Sequence, residues 1–195
     1  MDYQKVIDYF YGNEDSALKT ILVVHSRGVA EKALAICAAH PELSMDSSFV
    51  EAAAMLHDIG IIRCNAPGIE CFGTEPYICH GRIGAVMLRH ELPIPHSSFL
   101  IPHFSIDPFA RVCERHTGAG LTKEEIMKQN LPLPHQDFLP ETMEEKVICY
   151  ADKFFSKTRP EEEKSFDHVL RSLAKFGSEG VERFLSWHQL FAVEK

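Results

Sequence analysis

The sequence predicts an all-α helical bundle. Apolar residues recur at helical spacing through most of the chain, and strand-like alternation is nearly absent. Helix-start signals also stand just ahead of several of the apolar stretches. The 195 residues are enough for one domain with a sizeable core, expected over 1–195. A central unit is expected at about 15–157 and C-terminal helices at about 158–195.

In chain order, residues 3–11 form a short amphipathic segment ended by Gly12. A longer helix is predicted from Asp15-Ser16, with Leu18, Ile21, Leu22, Val29, Ala33, Leu34 and Ile36 as its apolar stripe and Pro41 just beyond it. Residues 48–60 read as the next helix. They are apolar through Ala52-Ala53-Ala54-Met55-Leu56 and stop at Gly60, a residue suited to a helix C-terminus. The stretch 61–76 breaks pattern at Asn65-Ala66-Pro67-Gly68, Gly73 and Pro76, and is expected to cover a site or line a pocket.

A helix is expected over 77–91. Its Gly81 and Gly84 each cost roughly 1 kcal/mol against alanine, so they signal close packing. Residues 92–104 form a proline-rich connection, with His90, His96 and His103 expected on the surface. A short helical run at 109–115 follows. Thr122 with Glu125 three residues on makes a capping box, and 131–140 reads as an extended loop. Thr142 with Glu145 opens a helix running to Phe155, and two amphipathic helices at 160–176 and 178–191 complete the chain.

Composition narrows the function. Lys plus Arg total 20 against 28 Asp plus Glu, a formal net charge of −8, which argues against a nonspecific nucleic-acid binder with a basic face. It leaves open an enzyme that meets a nucleotide in one pocket, because bound cations invert the local charge. No apolar run approaches the roughly 18 residues of a membrane helix. Met1-Asp2-Tyr3-Gln4-Lys5 lacks the form of a secretory signal, so a cytoplasmic location is expected. Cys37, Cys64, Cys71, Cys79, Cys113 and Cys149 form no Cys-x-x-Cys pair and are expected to be free thiols. The spacing of Cys64, Cys71 and Cys79 fits no zinc knuckle.

The chemistry lies in polar residues set in apolar runs. His57 and Asp58 end the alanine-rich stretch side by side. Adjacent helical residues point about 100° apart, so the pair meets one metal only if it sits off the helix end. Asp58 has two oxygens and is able to bridge to a second. A buried Asp beside a buried His is costly unless a cation or hydrogen bonds neutralise it. His25 lies among Val23, Val24 and Val29, where a lone histidine reads as a core residue with one hydrogen bond. His80 opens its helix ahead of Gly81. His116 sits at a helix end before Gly118, and Asp152 lies within an apolar run where an unpaired carboxylate is expensive.

His57-Asp58-Ile59-Gly60 is the signature of the HD and HDIG metal-dependent phosphohydrolases, and the chain resembles that family over residues 25–152. The resemblance implies an HD-domain helical bundle. His25, His57, Asp58 and Asp152 match the one-metal pattern, and this reverses the core reading of His25. His80 and His116 match the added histidines of the two-metal branch, which includes HD-GYP cyclic-dinucleotide phosphodiesterases and diadenosine tetraphosphate hydrolases. Ile61 stands where the HD-GYP branch has Lys, and no Gly-Tyr-Pro triplet occurs, which counts against a cyclic dinucleotide.

By this resemblance Asp58 bridges two metals. His25, His57 and Asp152 complete one site, while His80 and His116 help form the other. Mixed imidazole and carboxylate donors suit two divalent ions of Fe, Mn, Zn, Co or Ni. The implied reaction is in-line attack of metal-bound hydroxide on a phosphoester or phosphoanhydride of a small phosphorylated substrate such as a nucleotide, with Asp58 catalytic. Arg82 and Lys153 are the candidate phosphate contacts, against a solvated or salt-bridged role for Arg82. Two alternatives stand beside it. HD-fold mixed-valent di-iron oxygenases share the six-ligand set, and a nucleotide-binding regulatory module would turn over slowly or not at all.

Overall fold

The computed structural model describes residues 1–93 and 105–192. Its helices are α1 (Tyr3–Tyr11), α2 (Ala17–Ala39), α3 (Ser47–Leu56), α4 (His80–Val86), α5 (Asp107–Arg115), α6 (Lys123–Lys128), α7 (Met143–Asp152), α8 (Phe166–Leu173) and α9 (Ser178–Phe191). The strands among the described residues are β1 (Asn65–Ala66) and β2 (Cys71–Phe72), an antiparallel pair in register Asn65 to Phe72 and Ala66 to Cys71. The chain is all-α, as expected. Most of the 92–104 connection, with His96 and His103, lies outside the described residues.

Helix starts follow the capping chemistry. Ser16 accepts from the Lys19 amide, Asp46 from Ser48 and Phe49, and Thr142 from Glu145. Thr122 and Glu125 complete the predicted capping box at α6. Helix ends depart more from expectation. The 160–176 segment forms α8 only from Phe166, and α7 stops at Asp152 rather than Phe155.

The core is built on α3. Val50 and Ala52 through Leu56 are all buried, and the three alanines let α2 pack along it. Helix α7 lies against α2 and α3, α5 joins α3, α4 and α7, and α9 backs α7. Truncating Leu56, fully buried here, to Ala would cost on the order of 2–5 kcal/mol in transfer and cavity terms.

Gly60 does not cap α3. The helix ends at Leu56, and Gly60 lies within a 3-10 turn, Ile59–Arg63, outside the left-handed conformation. Its lack of a side chain serves close approach instead. A Cβ there would stand 2.2 Å from the His80 carbonyl oxygen and 2.4 Å from the Gly84 amide nitrogen. A Cβ on Gly81 would meet the Cys113 carbonyl oxygen at 2.4 Å. The glycines of α4 therefore press it against both the Ile59–Arg63 turn and α5, as their cost suggested.

Candidate metal centre

Six side chains from five places in the sequence meet under α3. His25 comes from the middle of α2, His57 and Asp58 follow α3, His80 opens α4, His116 closes α5 and Asp152 ends α7. All six are buried. Asp58 leaves α-helical winding (φ −105°, ψ 11°), so its carboxylate turns to the same cavity as His57 despite their adjacency.

The donors form two groups that share Asp58. His25, His57, Asp58 and Asp152 are one; Asp58, His80 and His116 are the other. Within each, the ligating atoms lie within 4.8 Å of one another. Asp58 divides its oxygens between them. Oδ2 faces His25 Nε2 at 3.1 Å and His57 Nε2 at 3.0 Å, whereas Oδ1 faces His80 Nε2 at 3.3 Å and His116 Nε2 at 3.4 Å. Asp152 Oδ1 lies 3.1 Å from His25 Nε2 and 3.4 Å from His57 Nε2.

The backbone fixes three of the imidazoles. The Nδ1 atoms of His57, His80 and His116 lie 2.6, 2.6 and 2.7 Å from the carbonyl oxygens of Ala54, Tyr77 and Cys113, each three residues earlier. A carbonyl only accepts, so each Nδ1 donates, and in the neutral ring Nε2 carries the lone pair. Burial lowers His116 and, against the opposing pull of Asp58, lowers His80 to about 3, so both rings are neutral. Their Nε2 atoms then face each other, lone pair to lone pair, at 3.0 Å.

Charge is concentrated beside them. Burial opposes the Asp58 charge, but His57 and Lys157 outweigh it and hold the carboxyl well below the usual carboxylate range. Burial likewise opposes the charge on Asp152, which Lys153 and the nearby His25 and His57 rings hold low. Burial alone would lower His57, yet Asp58 and Asp152 raise it to about 9.

The donor set fits divalent metal ions. Both oxygens of Asp58, both ring nitrogens of His25 and Nε2 of His57 are buried without an aligned hydrogen bond, although polar atoms crowd them. Buried polar groups are ordinarily satisfied, and atoms converging on a common point without an aligned hydrogen bond have the arrangement of metal ligands. Facing lone pairs on His80 and His116 call for a cation in the same way. Among the described residues, no cysteine joins a metal-binding group, and all six thiols are free and buried.

The centre opens onto a cleft with two lobes. One, of about 510 Å³, runs past Ile69, Phe155, Lys164 and Val169. The other, of about 350 Å³, contains His80 and His116 and runs past Leu121, Leu131 and Arg183. Tyr77, Asp152, Lys153, Lys157 and Phe176 line both. Lys153 reaches Asp152 Oδ2 at 2.6 Å and donates to the His116 carbonyl at 3.2 Å. Arg82 is not brought to this cleft. It is exposed and lines a separate small recess with Glu114 and Leu133, because two residues along α4 turn it about 200° from His80.

Sequence reasoning missed Lys157. Its ammonium lies 2.5 Å from Asp58 Oδ2, a charge pairing at the heart of the centre. Burial works against its charge, and Asp58 more than reverses that, holding the amine above its ordinary range. Ser156-Lys157-Thr158-Arg159-Pro160 reads as a solvated turn, and no local signal marks the lysine.

Comparison with known proteins agrees with this geometry. A family model described as HD domain matches residues 22–156. An uncharacterized protein of Methanocaldococcus jannaschii is 35% identical over 156 residues, 79% of this chain and 76% of that one. Two proteins named tRNA (cytidine(56)-2'-O)-methyltransferase are also similar. The one from Picrophilus torridus is 36% identical over 115 residues, 58% of this chain, and the one from Thermoplasma volcanium 34% over 158 residues, 80% of this chain. The matches span only 26% and 37% of those two proteins. No solved structure matches the chain. HD domains bind divalent metals and are generally hydrolases, which accords with the two donor groups around Asp58. With the matched region containing all six donors, the chain belongs to the HD domain family.

Proposed function

We propose that this protein is a phosphohydrolase that cleaves a phosphoester or phosphoanhydride, most simply of a nucleotide, at a dinuclear metal centre. The observation that carries the reading is the division of Asp58, with one oxygen offered to each donor group. His25, His57, Asp58 and Asp152 would hold one ion, and Asp58, His80 and His116 the other. When bound, paired divalent ions supply Lewis acidity and lower the pKa of a coordinated water.

The remaining work falls to this chain's own residues. The Ala54, Tyr77 and Cys113 carbonyls accept from Nδ1 of three imidazoles and so aim each Nε2 at the centre. Lys153 and Lys157 place positive charge where the phosphoryl oxygens would enter. The apolar wall of Leu121, Leu131 and Phe176 suits the uncharged part of a nucleotide. Arg82, turned away, has no part in the proposed set.

The test is hydrolysis of nucleoside mono-, di- and triphosphates and a chromogenic phosphate ester by protein loaded separately with Mn, Fe, Co, Ni or Zn. Turnover that disappears in Asp58→Ala supports the reading; no turnover with any metal on any phosphate overturns it. The names of the two methyltransferases carry tRNA alone, and joined to the phosphohydrolase reading they bring in a second substrate class, a phosphate carried by tRNA. The net charge of −8 leaves little attraction for an RNA backbone, so such a substrate would present a terminal phosphate to the cleft. End-phosphorylated tRNA fragments therefore belong in the same screen.

A further inference from the structure

Lys157 stands against a carboxylate oxygen that a metal ion would also use. Its side chain is 11% exposed, and its ammonium stands 2.5 Å from Asp58 Oδ2. That oxygen is the one aimed at His25 and His57, and hence the one the four-residue donor group offers to a cation. An ammonium and a divalent ion on one carboxylate oxygen repel each other strongly inside a buried site. Lys157 has a retreat, because a lysine stem is long and flexible and this one lines both lobes where they meet. It also lies 5.9 Å from the centre of the Tyr77 ring at that neck. Lys153 has less freedom, being tied to both Asp152 and the His116 carbonyl.

We propose that Lys157 is a tethered counter-cation that competes with a divalent metal for Asp58 Oδ2, and that metal entry moves its ammonium into the neck of the cleft, where it anchors an anionic ligand group. The competition rests on side-chain geometry alone; the anchoring rests on the phosphohydrolase reading.

The experiment uses the full chain, stripped of metal, as wild type, Lys157→Met and Lys157→Arg. Mn²⁺ is titrated by calorimetry, and inorganic phosphate is then titrated into the Mn-loaded protein. Loss of the competitor should tighten the first Mn²⁺ site by about tenfold in Lys157→Met, while Lys157→Arg, which keeps the charge, should stay near wild type. Phosphate affinity should fall by about tenfold in Lys157→Met. A parallel readout needs no variant and decides the matter if Lys157→Met does not fold. Acetylation of the wild-type Lys157 amine, followed by mass spectrometry, should accelerate several-fold on adding Mn²⁺ as the side chain leaves Asp58.

Unchanged or weaker Mn²⁺ affinity in Lys157→Met, or acetylation indifferent to Mn²⁺, overturns the competition. Tighter Mn²⁺ binding with unchanged phosphate affinity overturns the anchoring. If phosphate esters are hydrolysed while Lys157→Met binds Mn²⁺ as wild type does, the proposal falls and the phosphohydrolase reading stands. Failure of wild type to bind Mn²⁺ overturns the proposal, while the phosphohydrolase reading is decided by turnover with the other metals.

Discussion

His80 Nε2 and His116 Nε2 face each other at 3.0 Å while each ring's Nδ1 is committed to a backbone carbonyl. Two neutral acceptors at that distance repel unless a cation lies between their lone pairs. His116→Ala should therefore lose about one of two bound metal ions and keep the other, since the four-residue group does not include it. Elemental analysis of purified protein checks this. Unchanged stoichiometry would remove His116 from the centre.

Gly60 sets where that pair stands. Adding a methyl group 2.2 Å from the His80 carbonyl forces α4 away from the Ile59–Arg63 turn. Gly60→Ala should destabilise the protein by about 3 kcal/mol, the upper end for overpacking, and should weaken metal binding through His80. Chemical denaturation together with metal titration tests both effects. A variant of wild-type stability would mean that the turn yields cheaply.

Arg183 secures the wall of the second lobe. From α9 it donates to the Ala119 carbonyl at 2.9 Å, to Gly120 at 3.0 Å, and to both oxygens of buried Glu125 at 2.7 and 2.8 Å. Arg183→Met leaves Glu125 without its guanidinium and should cost about 2 kcal/mol, with metal content intact. Thermal unfolding and elemental analysis on the same sample separate the two. Metal loss would show that this wall supports the centre.

Acid should act through Glu141. Arg115, next to His116, and Arg111 hold the Glu141 carboxyl down at about 2, below its ordinary 4.5. A carboxylate depressed by folding adds stability above its unfolded pKa, and that contribution fades as pH falls from about 4.5 toward 2. Glu141→Gln should lower stability slightly at pH 7 and flatten the acid limb below 4.5. Urea midpoints across that range measure it. Parallel curves for the two proteins would contradict the assignment.

The donor residues were legible because each broke an apolar pattern at a cost. Asp152 follows Val147 through Ala151, and His57-Asp58 follows five buried residues. Such placements need compensation, and the resemblance to the HD families implied which kind. Lys157 was illegible for the opposite reason. A lysine in a polar turn costs nothing locally, and only the tertiary path after α7 returns it to Asp58. Arg82 shows the limit of proximity along the chain, since two residues from His80 is the far side of a helix. Gly60 was read as a helix stop because glycine favours that role, whereas the packing of α4 required it.

In the proposed centre one carboxylate, Asp58, organises two metal ions. Elemental analysis of anaerobically purified wild type and Asp58→Ala, with EPR on the same samples, tests it directly. About two divalent ions per wild-type chain and almost none in Asp58→Ala are expected. Equal metal content in the two proteins, or none in wild type after reconstitution, would contradict it.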